Sequence, residues 1–290
     1  MEKVQLSSLR TVRLISMGEG SFVYLLSDGS ILKVFSSTTK LYYNEFGFNL
    51  EGKILNSKQI DNVPEIIIPN SAVYRGSEFF GYTTKYIDGI NYGEWDAGLS
   101  MDERCDLTMY ANVYSKIEDI IKRANEKNIV FPDLLTVENM IFTKDNEIKF
   151  IDYDGLQIDD YNGIAISKAL GEQKLHFIPK YERGRLHFTN NLDMKSLIFL
   201  YFITTFNVFL ANIGKINSET LKPITVDDIF EMIGLDDDDI KHKVWLCFKD
   251  ECPNVFLGDD VFKIAENYNM TCYPYNYGGK TKYIKRLERK

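Results

Sequence analysis

A chain of 290 residues, 44% apolar and 26% charged, has the make-up of a globular protein and the length for one large domain or two lobes sharing an interface. A net charge of −8 excludes a broadly electropositive surface, so nucleic acid is not an expected partner. Four scattered cysteines (Cys105, Cys247, Cys252 and Cys272) form no CxxC pair, which argues against a zinc motif or disulfide framework and fits a reducing, cytoplasmic setting.

In chain order, Met1–Leu14 has no apolar signal core, and strands are expected from Thr11 to Phe35. TVRLIS leads to Gly18-Glu19-Gly20-Ser21-Phe22, then VYLL, the turn SDGS and ILKVF. Asp28-Gly29 between apolar runs predicts a hairpin, because a primed turn needs positive φ. Residues 40–58 read as a helix weakened by Gly47 and Gly52. Pro64 and Pro69 bracket EIII, and AVYRGSEFFGYTTKYI predicts a second hairpin around Arg75-Gly76-Ser77.

The character then changes. Residues 102–127 carry Leu107, Ala111, Tyr114, Ile117 and Ile121 at helical spacing. MIF and IKFI form a hairpin around the charged turn TKDNE, followed by an irregular stretch to about Asn190 and then mostly helix. Leu197–Gly214 carries no charge and approaches membrane-spanning length, but Thr204, Thr205, Asn207 and Asn212 interrupt it and no second such segment exists. It reads as a helix buried on all sides, so no membrane span is expected. Asp236–Asp239 reads as a helix-start or loop charge cluster, since a calcium loop needs alternating ligands and a glycine. The basic stretch Lys280–Lys290 reads as a solvated terminal helix, with contact to a membrane surface or an acidic partner as the alternative. Strands first and helices after imply an α+β fold. Residues 1–86 form a small antiparallel-sheet lobe with one helix, and residues 87–290 a larger, mainly helical lobe with C-terminal helices; together they make one domain.

The chemistry-bearing residues follow the same order. Gly18-x-Gly20 between two strands lets bare backbone lie close over phosphates. Lys33 lies among Ile31, Leu32, Val34 and Phe35, where it either faces solvent or carries its amine to a phosphate and needs a carboxylate to place it. Glu51 could supply that carboxylate, with Glu45 a competitor on a different helical face. Asp133, Asn139 and Asp152 come next. An amide and a carboxylate oxygen suit magnesium, which completes its shell with water and phosphate, and a hairpin between Asn139 and Asp152 sets its two ends side by side. His176, His187 and His242 lie outside these motifs and read as surface or structural groups.

The ordered set resembles the protein kinases and their bilobal relatives over roughly residues 11–260. GEGSFVYLLSDGSILKVF is similar to the glycine loop and the strand bearing the phosphate-contacting lysine, and NLEGKIL to the helix whose glutamate pairs with it. FPDLLTVENMI resembles the catalytic loop, IKFIDYDG the metal-binding segment, GYTTKYIDG the hinge, IPKYERG the close of the activation segment, and LDMKSLIFLYFITTF the central helix. The resemblance implies ATP and Mg2+ as cofactors. Gly18 and Gly20 lie over the phosphates, Lys33 binds them and pairs with Glu51, and the backbone of Lys85, Tyr86 and Ile87 meets adenine. Asp133 serves as base, Asn139 and Asp152 as magnesium ligands, and Asp193 as brace of the catalytic loop. Four departures stand out: Val23 at the third glycine position, Phe131-Pro132 in place of His-Arg, six residues rather than five from Asp133 to Asn139, and Asp154 where glycine is usual. The implied function is phosphoryl transfer to a serine, threonine or tyrosine hydroxyl. The alternatives are a pseudokinase that binds nucleotide or a protein partner, and a small-molecule kinase.

Overall fold

Alternating side chains over residues 2–35 and 69–84 build one six-stranded sheet. Its strands are β1 (Glu2–Gln5), β2 (Thr11–Met17), β3 (Ser21–Leu26), β4 (Ile31–Phe35), β5 (Pro69–Arg75) and β6 (Glu78–Thr84), in the order β1-β5-β6-β4-β3-β2. This computed structural model describes the chain apart from residues 19, 46–47, 58–62, 160, 162–179, 183–184, 189–190, 209–214, 219 and 249–257. The sheet is mixed rather than wholly antiparallel, because β1 runs parallel to β5. That short strand, EKVQ, has a single apolar residue, and only the exposed edge of β5 gives it a partner.

The two faces of the sheet differ. Leu26, Leu32, Val34 and Val73 form a small cluster on one side. Phe35, Ala72, Tyr74 and Tyr82 join the main core on the other. Lys33 sits opposite Tyr82, which sits opposite Ala72, so the period of two turns the lysine toward the core side rather than toward solvent.

The helix expected over residues 40–58 is instead two short ones, α1 (Ser37–Glu45) and α2 (Leu50–Leu55). Asn49 breaks the run: its side chain accepts from the Gly52 N–H at 2.8 Å and caps α2. The new cap resets which side of α2 meets the core, and Leu50, Lys53 and Ile54 are its buried residues.

The segment between α2 and β5 docks on the second half of the chain. Phe150 N–H donates to Glu65 O and Ile67 N–H to Phe150 O, both at 2.8 Å, and Arg123 grips the Glu65 carboxylate with two nitrogens at 2.9 and 3.0 Å. That half begins with β7 (Gly89–Asn91), α3 (Tyr92–Gly98), α4 (Met101–Arg104) and α5 (Leu107–Asn125). Asp106 caps α5, accepting from Met109 N–H at 3.0 Å, and Leu107, Tyr110, Ala111, Tyr114, Ile117 and Ile121 form its buried stripe. Next come β8 (Ile129–Val130), β9 (Met140–Thr143), β10 (Ile148–Phe150), β11 (Gln157–Ile158), β12 (Lys180–Glu182) and β13 (Arg185–His187). β9 and β10 are the hairpin expected around TKDNE, with Met140 opposite Phe150.

The uncharged stretch forms the C-terminal part of α6 (Asn191–Phe206), where Leu197, Ile198, Phe199, Leu200, Tyr201 and Phe202 are all buried. Each such side chain contributes roughly 1.5–3 kcal/mol on leaving water, which anchors the helical half on this axis. Among the described residues no helix is long and apolar enough to cross a membrane; Asn212 and Gly214 lie outside them. The remaining helices are α7 (Val226–Ile233), α8 (Asp238–Phe248) and α9 (Asp259–Asn267). Asp236–Asp239 lies at the start of α8, where Asp237 pairs with Lys263 at 2.9 Å and Asp239 with Lys243 at 3.0 Å.

The C-terminal stretch is a hairpin, not a helix. β14 (Tyr268–Tyr277) and β15 (Lys280–Arg289) meet at Gly278-Gly279, whose φ of +58° and +75° suit a two-residue primed turn. The frequency of basic residues suggests a helix, but the burial alternates: Lys285 and Leu287 point inward while Ile284 and Arg286 face solvent. The lysine amine finds Tyr110 Oη at 3.1 Å and Thr204 O at 3.0 Å. The protein is thus α+β, as its strand-then-helix order implies.

Candidate functional site

Three segments bring the expected residues together. The first is β4, which carries Lys33. The second runs from Phe131 to Asn139, and the third follows β10 from Asp152 to Leu156. Asp133, Thr136, Asn139, Asp152 and Gly155 line one pocket.

The loop from Phe131 to Asn139 explains how six residues separate Asp133 from Asn139 without parting them. Thr136 N–H returns to Asp133 O at 3.0 Å, and Asn139 N–H returns to Thr136 O at 3.0 Å. Two successive tight turns absorb the extra residue. The Asn139 amide nitrogen lies 3.3 Å from Asp133 Oδ2, and the Thr136 hydroxyl donates to Oδ1 at 2.6 Å. Behind the loop, Asp193 at the start of α6 is fully buried and accepts from Phe131 N–H at 2.8 Å. The Asn125 amide, turned so that its nitrogen faces Asp193, donates to the other carboxylate oxygen at 2.9 Å. The hairpin then does the rest: Ile151 N–H bonds to Asn139 O at 3.0 Å, which sets Asp152 beside Asn139.

Lys33 reaches across from the sheet and forms ion pairs with Asp152 and, at 2.7 Å, with Asp154. Asp154 is buried and also accepts from the Tyr82 hydroxyl at 2.7 Å. Lys53 of α2, only 3% exposed, donates to the backbone carbonyls of Asp154, at 2.7 Å, and Leu156.

The expected pair of Lys33 with Glu51 is absent from this arrangement. Glu51 accepts from the Tyr74 hydroxyl at 2.6 Å and lines a separate groove with Lys40, Phe48 and Glu78. The cause is the Asn49 cap, which turns Lys53 rather than Glu51 toward the cleft. Gly18 and Gly20 stand at the turn between β2 and β3, with Glu19 outside the described residues. Gly20 O accepts from Ser36 N–H at 3.0 Å and from the Thr39 hydroxyl at 2.8 Å, so one arm of the turn is tied to the start of α1. Val23 lies on β3 opposite Lys33. Lys85, Tyr86 and Ile87 follow β6 in a stretch without helix or strand, with Lys85 and Tyr86 exposed. Of the IPKYERG segment, Lys180–Glu182 forms β12; Ile178, Pro179, Arg183 and Gly184 lie outside the described residues, as do His176 and Cys252. His242 stacks on Trp245, away from the residues of the pocket.

The electrostatics follow from burial and from the two lysines. Burial lifts the Asp133 carboxyl to about 6, with the Asp152 charge adding to the rise and the Thr136 hydroxyl opposing it. Asp152 is raised by burial and by Asp154, more than Lys33 lowers it. Burial works against the charge on Asp154 too, but Lys33 and the Tyr82 hydroxyl outweigh it and its pKa is lowered. Lys33 stays cationic despite burial because both carboxylates face it. Burial depresses Lys53 to about 7, with Asp154 and Asp152 opposing the fall and the Lys33 charge adding to it. Asp193 is raised well above the carboxylate range by burial, against the pull of Phe131 N–H.

Among the described residues, no group of three His, Cys, Asp or Glu side chains is arranged to hold a metal. An amide and a carboxylate on one pocket wall suit magnesium, which takes one or two protein oxygens and fills the rest of its shell with phosphate and water. The donor set fits that ion and does not fit zinc.

Sequence reasoning did not assign a role to Lys53, Tyr82, Thr136 or Asp154. The signal for Asp154 was present, as the acid in a glycine position. Lys53 carried none, because its inward turn depends on the cap at Asn49. No protein-family model matches the chain, and no curated protein matches it.

Proposed function

We propose that the chain is an ATP- and magnesium-dependent phosphotransferase with a bilobal, protein-kinase-like architecture, acting on a serine, threonine or tyrosine hydroxyl. On this reading the sheet with α1 and α2 is the small lobe, residues 1–86, and residues 87–290 are the large one. The observation that carries it is the meeting of Lys33, Asp133, Asn139 and Asp152 at one cleft from three separated segments, in the order the kinase signature requires. The Asp193 bond to the loop backbone adds support from a fourth segment.

Asn139 and Asp152 are the residues that would hold magnesium, and the bound metal nucleotide supplies an electrophilic phosphoryl group with its charge partly neutralised. The chain's own residues do the rest. Lys33 presents a fixed cation for the nucleotide phosphates, over which the backbone at Gly18 and Gly20 would lie on this reading. The raised Asp133 carboxyl is a base above about pH 6 and takes the hydroxyl proton in the transition state. Asn139 and Thr136 hold that carboxylate in place. Lys85, Tyr86 and Ile87 offer the backbone of the stretch between the lobes to the adenine ring.

One observation favours a second reading, a nucleotide- or partner-binding module without transfer: the Lys33 amine is engaged by both Asp152 and Asp154. Labelled ATP with magnesium, offered to a panel of proteins, peptides and small alcohols, separates the readings. Transfer that Lys33→Ala removes supports the phosphotransferase, and the acceptor labelled identifies protein or small-molecule specificity. Thermal stabilisation by nucleotide without transfer supports the binding module. No stabilisation by any nucleotide overturns both.

A further inference from the structure

The segment from Asp152 to Leu156 holds more charge than metal binding and proton transfer use. Two lysines enter it from two elements of the sheet half, and a tyrosine enters from a third. In kinases the strand lysine pairs with a glutamate on the neighbouring helix. Here the neighbouring helix turns a lysine inward, and its glutamate binds Tyr74 instead.

We infer that Asp154 is the positioning residue of Lys33, performing from the metal-binding segment the task that a helix glutamate performs elsewhere, with Tyr82 and Lys53 holding Asp154 in turn. The inference rests on the phosphotransferase reading. Its ground is a division of labour between two carboxylates two residues apart. The Asp152 side chain is 26% exposed and lines the pocket with Asp133 and Asn139, so it is the one that can turn to a cation there. The Asp154 side chain is 6% exposed and lies out of that pocket lining, with the Lys33 amine and the Tyr82 hydroxyl both at 2.7 Å from the same oxygen.

Charge balance points the same way. Two lysines and two aspartates meet in this cluster. When Asp152 turns to a divalent cation, Lys33 keeps one buried anion beside it, and that anion is Asp154. Lys53 donates to the carbonyls of Asp154 and Leu156 and so fixes the backbone that carries this anion. One consequence separates this arrangement from a helix-borne glutamate: the anion does not ride on α2, which reaches it only through the Lys53 bonds to the Asp154 and Leu156 carbonyls. Lys33 and the metal ligand are placed by the same five residues.

The test uses the full chain with Asp154→Asn, Asp154→Glu and Glu51→Gln, and two readouts. In steady-state transfer, Asp154→Asn lowers kcat on the order of a hundredfold, as misplacement of a catalytic group does. The KM for ATP moves far less, Asp154→Glu restores part of the loss, and Glu51→Gln stays within about twofold of the parent. In urea unfolding without nucleotide, Lys33→Met and Asp154→Asn are non-additive, the double variant losing no more than the worse single one, whereas Lys33→Met and Glu51→Gln add. Should Asp154→Asn not fold, Tyr82→Phe removes only the hydroxyl that orients Asp154, and a fall in kcat at unchanged KM carries the test. Additive Lys33 and Asp154 losses, or a Glu51→Gln variant as inactive as Lys33→Met, overturn the inference. If the parent transfers no phosphate, the phosphotransferase reading fails by itself, while the unfolding cycle still decides whether Asp154 holds Lys33.

Discussion

The loop from Phe131 to Asn139 and the segment from Asp152 to Leu156 line one pocket, yet they differ in what holds them beyond their own turns. The loop is shaped by its own backbone turns and by neutral donors, with the buried Asp193 accepting from Phe131 N–H. No lysine or arginine takes part in the bonds described for it. The segment also turns on itself, with Gly155 N–H bonded to Asp152 O at 3.1 Å and Leu156 N–H to Tyr153 O at 3.2 Å, but it is gripped in addition by Lys33, Lys53 and Tyr82. A loop closed locally keeps its shape when the halves of the protein shift. A segment also gripped by side chains from the other half feels that shift, and so reports where that half is.

The sharpest way to break this comparison is to remove one charge on each side. Asp133→Asn is expected to lower transfer by about 10²–10⁴-fold, the range for loss of a general base, with little loss of stability. The parent rate should fall as pH drops through about 6, since the base form exists above that value, and the residual rate of Asp133→Asn should lack that step. Lys33→Ala should lose transfer and stability together, by about 3–5 kcal/mol in urea unfolding, because it leaves buried carboxylates without their cation. If Asp133→Asn costs as much stability as Lys33→Ala, the loop is not self-supporting and the contrast fails.

Two smaller effects sharpen it. Asp193→Ala leaves the Phe131 N–H buried without an acceptor, at about 1–3 kcal/mol, and should lower kcat while nucleotide binding, read by thermal shift, persists. Lys53→Met tests the segment through pH. The folded chain holds this proton less tightly than the unfolded chain, at about 7 against 10.5. Its stability contribution is therefore full above 10.5 and is lost as pH falls through 7. The melting temperature of the parent relative to Lys53→Met should drop across that window and level off below it. A difference flat from pH 10 to 6 would show that Lys53 keeps its charge throughout.

The residues show why part of this was legible in the sequence and part was not. The hairpins at Asp28-Gly29, Arg75-Gly76 and TKDNE announce themselves through turn chemistry, and the α5 stripe through its spacing. The closeness of Asn139 and Asp152 follows from one hairpin, so it is local information as well. The partner of Lys33 is not local. Whether α2 presents Glu51 or Lys53 to the cleft depends on where the helix starts, and that is set by one side-chain bond from Asn49. The C-terminal hairpin was hidden for another reason: its inward Lys285 and outward Ile284 reverse the usual polarity, and only the Gly278-Gly279 turn gives it away.

The docking of residues 65–67 on β10 sets how the cleft can open. Two backbone bonds and the double grip of Arg123 on Glu65 pin the sheet half to the helical half close to the stretch at Lys85–Ile87, because Thr84 pairs with Pro69 and its hydroxyl donates to Ile68 O at 3.0 Å. Seam and connecting stretch thus form one edge, so a separation of the halves is expected to be a tilt about both together, like a lid on fixed pins. The amides of Ile67 and Phe150 should exchange slowly with deuterium in open and closed forms alike, while those around the glycine turn change with the tilt.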